Sequence, residues 1–174
     1  MIVQKVLYNS LILSSDSDNR EVIVMGKGIG FSSRPGDEIA EEKIEKLFVM
    51  QTPINRSGYL EALSAIPDEV IEMAAMIISR ANMQLSSKVR EQIFFTLADH
   101  LDFAIARCRK GIAIQNRLLP EVRRFYPQQF RVASEAVAMI RQQYGIALLE
   151  EEAGNIAFHL VNGQSEGDDV AQTM

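Results

Sequence analysis

The residues best suited to chemistry in this 174-residue chain are a glycine-rich run and two histidines. The run Met25–Phe31 follows a β-branched strand and alternates three glycines with Lys27, Ile29 and Phe31. Glycine lets a ligand approach the backbone closely, a lysine can neutralise a phosphate, and a phenylalanine can stack on an unpaired base. The run therefore suits single-stranded or bulged RNA, although a tight turn between strands explains the same glycines.

The spacing within this run excludes the common nucleotide-binding loops. A Walker loop needs Ser or Thr after its Gly-Lys pair, and here Lys27 is followed by Gly28. The dinucleotide fingerprint needs two residues between its last glycines, and only Ile29 separates Gly28 from Gly30.

The two histidines, His100 and His159, both lie in segments with helical periodicity. Each follows an apolar residue by three positions, which places it at the edge of an apolar helix face. An imidazole there can be a metal ligand, a general base, a phosphoryl acceptor or a half-buried structural side chain. Because Cys108 is the only cysteine and no His-x-x-x-His pair exists, we predict no metal site, no catalytic residue and no cofactor.

Composition and charge narrow the class of protein. With 47% hydrophobic and 24% charged residues the chain is globular, and its net charge of -5 excludes a uniformly basic nucleic-acid binder, so any RNA site must be local. One cysteine, no signal-peptide pattern and only short apolar stretches predict a cytoplasmic protein without membrane insertion. Residues 88–131 carry nine basic and four acidic residues. They indicate either a patch for phosphate or an acidic partner, or an ordinary solvated helix surface.

The first part of the chain has the pattern of an antiparallel β meander. Runs rich in Val, Ile, Leu and Phe are separated by turn residues. The predicted strands are Ile2–Leu7, Leu11–Leu13, Glu21–Met25 and Ile44–Met50. Such a sheet is too small to bury a full core, so we expect it to dimerise.

After about residue 55 the periodicity becomes helical. The predicted helices are Asp68–Leu85, one from a cap at Ser86 or Ser87 to about Arg109, one from near Glu121 that Pro127 interrupts, Phe130–Tyr144 and Leu149–Val161. We therefore predict an α+β multidomain chain, with a small antiparallel β-sheet domain followed by an all-α helical bundle. The predicted bounds are 1–55 for the β domain, 56–66 for a linker and helix start, 67–165 for the bundle and 166–174 for a linker.

Together these motifs resemble the BglG/SacY-type transcriptional antiterminators over nearly the whole chain. The first group resembles their co-antiterminator RNA-binding domain, and the second resembles the two histidine motifs of their first phosphotransferase-regulation domain. The first group is Met25–Phe31, Gly36-Asp37 and Ile44-Glu45-Lys46, and the second is Leu97–His100 with Phe103–Arg107, then Glu152–Val161.

The resemblance implies a homodimer that binds a hairpin in a leader mRNA and blocks an overlapping terminator. It also implies that His100 and His159 accept phosphoryl groups from the sugar permease of the phosphotransferase system, and from its general phosphocarrier protein. Phosphorylation of the first regulation domain by the permease inactivates such regulators when inducer is absent. Family members usually carry a second regulation domain, so we expect this chain to be a piece of a longer protein.

We predict one RNA contact surface, because the turn at Asn9 and the glycine run both end strands of one small sheet. It consists of Lys5, Asn9, Ser10, Gly26, Lys27, Gly28 and Phe31. Ser10 stands where the family usually has an asparagine, and Lys27 where it usually has an arginine.

Beside the histidines, we predict Asp99 as an orienting carboxylate and Arg107 as a partner for a phosphoryl group. The alternative function is a phosphohistidine carrier or relay of the phosphotransferase system. A relay has no use for the glycine run and its lysine and phenylalanine.

Overall fold

The computed structural model describes residues 1–49, 65–90 and 93–164, which fall into two compact units, Met1–Asp68 and Glu69–Met174. The first unit holds a four-stranded antiparallel sheet and the second a helical bundle, which confirms the predicted fold class. Most of the predicted linker at 56–66 and all of the linker at 166–174 lie outside the described residues. Within those described, no helix is long and apolar enough to cross a membrane.

The sheet is a simple meander in the order β1-β2-β3-β4. Its strands are β1 at Lys5–Tyr8, β2 at Leu11–Ser15, β3 at Glu21–Met25 and β4 at Lys46–Val49. The first strand begins later than predicted because Ile2 and Val3 pair with the segment around Asp37 instead, through a bridge from Ile2 to Glu38 and a 2.8 Å bond from the Val3 N–H to the Asp37 carbonyl. The last strand also begins later than predicted: Ile44 follows a 3-10 turn at Glu41–Lys43, and β4 begins at Lys46.

The glycine run is anchored in the core of this unit by Ile29. Its side chain is fully buried in a cluster on one face of the sheet, together with Val3, Ile12, Val22, Val24 and Ile39. Ile29 is held inward, while Lys27 and Gly28 before it and Phe31 after Gly30 lie at the surface. The run thus contributes Ile29 to the core and presents Lys27 and Phe31 on an exposed loop.

Two glycines of the loop are required by close backbone approaches. A Cβ at Gly26 would meet the Lys43 carbonyl oxygen, and a Cβ at Gly30 would meet the Tyr8 carbonyl oxygen, both well inside van der Waals distance. Gly28 differs, since it has open space around it but a φ of +68°.

We expect Gly30→Ala to lower the free energy of unfolding by about 3 kcal/mol, because the added methyl group must displace backbone rather than a side chain. Gly28→Ala is the matched control and should cost about 1–2 kcal/mol, the usual cost of a left-handed conformation in an alanine. Urea unfolding followed by circular dichroism compares the two. Equal losses in the two variants would contradict the packing described for Gly30.

The second unit contains five α-helices in its described part. They are α1 at Asp68–Gln84, α2 at Ile93–Arg109, α3 at Leu119–Phe125, α4 at Pro127–Tyr144 and α5 at Glu150–Gly163. Helix α5 packs against α2, α3 and α4, so it lies at the centre of the bundle. Its contact with α2 positions both histidines.

Two predicted helix starts are wrong. Helix α2 does not begin at Ser86 or Ser87: Val89 is extended and bridges to Gln164, and its N–H donates to the Asn82 side chain at 2.8 Å. The N–H of Arg90 donates to the Gly163 carbonyl, so tertiary partners satisfy this backbone. The predicted interruption at Pro127 is confirmed, since α3 ends at Phe125. Helix α4 begins at Pro127 itself and not at Phe130, because the missing N–H of a proline costs nothing at a helix start.

Candidate functional site

In the first unit, the Asn9–Ser10 turn and the glycine loop are joined by their backbones. The N–H of Gly30 donates to the Asn9 carbonyl at 2.8 Å, and the N–H of Gly26 donates to the Ser10 carbonyl at 3.0 Å. The turn is a two-residue hairpin connection between β1 and β2, since Tyr8 pairs with Leu11. The two predicted segments therefore form one continuous surface at one end of the sheet.

Three side chains of this surface are available to a ligand. Phe31 is 85% exposed, more than any other large apolar residue among those described, and Asn9 and Lys27 are also exposed. The Ser10 hydroxyl is buried without a hydrogen-bond partner in the described part of the chain. The exposed side chains of Asn9, Lys27 and Phe31 are therefore open to a ligand, whereas the Ser10 hydroxyl is closed to it.

Lys5 does not lie at this surface. It lies at the start of β1, opposite Leu13, whereas the Asn9–Ser10 turn follows the end of that strand. Four residues of extended chain span about 13 Å. Lys46, which sequence reasoning did not select, lies opposite Met25 at the glycine-loop end of the sheet and adds a cation there.

In the second unit, α2 and α5 bring the two histidines together. His100 and His159 have ring centroids 5.0 Å apart, with their planes tilted by 47°. Both side chains are half-buried. An open cleft of about 420 Å³ lies beside them and is lined by both histidines, Arg107, Asn155 and Asn162. The sequence places the two histidines 59 positions apart, and only the α2–α5 packing makes them one site.

A buried carboxylate, Glu152, organises this site. Its Oε2 lies 3.0 Å from the Nε2 of His100 and accepts a 3.2 Å bond from the Asn155 amide, and its Oε1 accepts a 3.0 Å bond from Arg107. Asn155 in turn accepts a bond from the Asn116 amide at 3.0 Å. His100 and Arg107 are thus held by a network in which Glu152 has the most partners, and His159 lies against the His100 ring.

The electrostatics of the site follow from these contacts. Burial alone would raise the pKa of Glu152, but the hydrogen bonds from His100, Arg107 and Asn155 outweigh it and lower that pKa to about 2. Burial, and after it the nearby His100, lowers the pKa of His159 below its ordinary value of 6.5. At neutral pH, Glu152 is therefore an anion and His159 is a neutral imidazole with a free lone pair.

The acid stability of the chain should report on Glu152. A carboxyl with a depressed folded-state pKa stabilises the fold above its unfolded pKa, near 4.5, and loses this contribution as pH falls toward its folded pKa of about 2. Between pH 6 and pH 3 the free energy of unfolding of the wild type should fall by about 2 kcal/mol more than that of Glu152→Gln.

Urea unfolding at both pH values measures this difference. Glu151→Gln is the matched control, because the neighbouring carboxylate makes no hydrogen bond or ion pair in the described part of the chain. Its pH dependence should follow the wild type. Parallel pH profiles for the wild type and Glu152→Gln would contradict the network.

The carboxylate that contacts His100 is therefore Glu152, not Asp99. Asp99 is exposed, and no hydrogen bond joins it to His100 among the residues that the structure describes. Arg107 lies in the site as predicted, but its partner is Glu152. The sequence feature that could have identified Glu152 is its position as the first residue of the second histidine motif, two helical turns before His159.

Comparisons with known proteins place both units in one class. The profile of the CAT RNA binding domain matches residues 1–57, and that of the PRD domain matches residues 75–163. The chain therefore belongs to the family of transcription antiterminators that join a CAT RNA-binding domain to a PRD domain, a family of RNA-binding regulators and not of enzymes.

Individual relatives agree with this. Transcription antiterminator LicT of Bacillus subtilis is 38% identical over 164 residues, which are 94% of this chain and 59% of LicT. The beta-glucoside operon antiterminator of Dickeya chrysanthemi is also 38% identical, over 94% of this chain and 58% of its own. The crystal structure of GlcT CAT-PRDI matches with a TM-score of 0.83 and 28% identity, over 95% of this chain and 98% of the other. The chain thus spans about three fifths of the length of the first two relatives.

Proposed function

We propose that this chain is the RNA-binding and first regulatory part of a transcription antiterminator. Its β unit binds a hairpin in a leader mRNA and thereby blocks a terminator. Phosphorylation of His100 and His159 by proteins of the sugar phosphotransferase system controls that binding. The observation that carries the proposal is the presence of a CAT RNA-binding domain and a PRD domain in one chain, in this order.

The surface of the β unit supports RNA as its ligand. Phe31 offers an unpacked ring for base stacking, and Lys27 offers a cation for a phosphate on the same loop. The exposed side chain of Asn9 offers hydrogen bonds to base edges or the ribose. Because the whole chain has a charge of -5, a local surface of this kind explains RNA binding better than a general electrostatic attraction.

The histidine pair supports phosphoryl control. His159 is neutral at neutral pH and so carries the lone pair that a phosphoryl acceptor needs. The adjoining cleft gives a donor access, and Arg107 can form a charge-assisted pair with the new phosphoryl oxygens. The donors are the sugar permease of the phosphotransferase system and its general phosphocarrier protein, and the setting is the cytoplasm.

We propose that the active form is a homodimer. A two-fold symmetric contact matches the two strands of a hairpin target with two copies of the loop surface. Phosphoryl groups near such a contact would add electrostatic repulsion and a desolvation cost. If the interface has two packings, these costs shift the equilibrium between them.

The experiment is an electrophoretic shift assay with a short leader-type hairpin RNA and a fully paired duplex of the same length. The proposal predicts a retarded complex with the hairpin alone. A chain that takes up phosphate and passes it on, but binds neither RNA, would instead be a phosphohistidine relay.

A further inference from the structure

The contact between Glu152 and His100 also determines which ring nitrogen of His100 carries the proton. Glu152 is ionised at neutral pH, and an ionised carboxylate can only accept hydrogen bonds. The 3.0 Å contact from the Nε2 of His100 to Oε2 therefore requires a proton on Nε2. In the neutral ring the lone pair must then lie on Nδ1.

The surroundings keep Glu152 in this role. Its side chain is 9% exposed and that of His100 is 19% exposed, so water competes little for the bond. Arg107 holds Oε1 and Asn155 holds Oε2, which fixes the carboxylate in place from two sides. A carboxylate with this many fixed partners is pre-organised and does not need to reorient to bind the ring.

Building on the proposed function, we propose that Glu152 is a positioning residue that directs phosphorylation of His100 to Nδ1. The P–N bond of a phosphohistidine donor breaks, and its electron pair stays on the donor imidazole, which leaves neutral. The lone pair of Nδ1 forms the new P–N bond. His100 becomes a phosphorylated imidazolium whose Nε2–H still donates to Glu152, so no proton has to move. The anionic carboxylate stabilises the positive ring that forms.

The first test needs no phosphoryl donor. Long-range proton–nitrogen correlation spectra of the histidine-labelled chain at pH 7.5 report which ring nitrogen carries the proton. We expect the Nε2–H form for His100 in the wild type and in the conservative variant Glu152→Asp, provided that the latter is folded by circular dichroism. Glu152→Gln, whose amide can donate as well as accept, should reduce the tautomer preference about tenfold, the value of one charge-assisted bond. An Nδ1–H ring in the wild type would overturn the proposal.

The second test determines the phosphorylated nitrogen. The chain is incubated with phosphoenolpyruvate, the purified general phosphotransferase proteins and the sugar permease. It is then digested with a protease at alkaline pH, and the phosphohistidine isomer is identified in the peptide that contains His100. We expect the Nδ1 isomer in the wild type and in Glu151→Gln, and a roughly tenfold larger Nε2 share in Glu152→Gln. Phosphate on Nε2 in the wild type would refute the role of Glu152 and leave the proposed function intact. Absence of phosphate from both histidines would refute phosphoryl control itself, and the tautomer measurement would still decide the role of Glu152.

Discussion

Phe31→Ala is expected to weaken binding of the hairpin RNA roughly fivefold to hundredfold, which corresponds to the loss of one stacked base at about 1–3 kcal/mol. The ring is 85% exposed, so its removal should leave the fold of the β unit unchanged. The buried Ile29, not Phe31, anchors the loop. The loss in affinity should therefore come from a missing RNA contact and not from unfolding.

The matched control is Phe125→Ala in the second unit, where another phenyl ring is 65% exposed. Fluorescence anisotropy with a labelled hairpin measures both variants, and circular dichroism checks their folding. We expect the control to bind RNA as the wild type does. If folded Phe31→Ala also bound with wild-type affinity, the RNA surface would lie elsewhere.

The second large effect concerns the histidine pair. Replacing both His100 and His159 with aspartate is expected to weaken hairpin binding at least about tenfold, a typical coupling free energy between two sites. The two rings are 5.0 Å apart and His100 contacts the buried Glu152, so two new carboxylates would place three negative groups in one small site. Like charges in such a place repel and lose hydration, which disfavours the packing that the neutral rings allow.

This experiment uses the full chain and compares three proteins: the wild type, the double aspartate variant and a double variant with asparagine at both positions. Asparagine has nearly the size of aspartate and no charge. Retained RNA affinity in the asparagine variant with lost affinity in the aspartate variant would assign the effect to charge. Equal affinity in all three would contradict coupling between the histidines and the RNA surface.

Much of the fold could be predicted from the sequence because its signals are local. Turn residues at Asn9–Ser10 and the apolar run of β3 define the hairpins. The register of β1 and β2 shifts between Val6 and Tyr8, which the turn alone does not indicate. The joining of this turn to the glycine loop followed from the same strand order. Errors arose where tertiary partners replaced local ones, as at Val89, which bridges to Gln164 instead of starting α2.

The histidine site was only partly predictable. Helical periodicity placed His100 and His159 at the edges of apolar faces, but their proximity depends on how α2 packs on α5. Asp99 was favoured because it adjoins His100 in sequence. Adjacent residues in a helix point about 100° apart, so they do not face each other. Glu152 is 52 positions away and reaches His100 from the facing helix, which no local pattern indicates.

The most direct test of phosphoryl control is the RNA affinity of one preparation before and after phosphorylation. The chain is treated with phosphoenolpyruvate and the purified phosphotransferase proteins, and its dissociation constant for the hairpin is measured with and without that treatment. A variant with alanine at both His100 and His159 receives the same treatment. The account predicts at least about a tenfold change in affinity for the wild type and none for the variant. A wild type that carries phosphate on either histidine and binds RNA with unchanged affinity would contradict it.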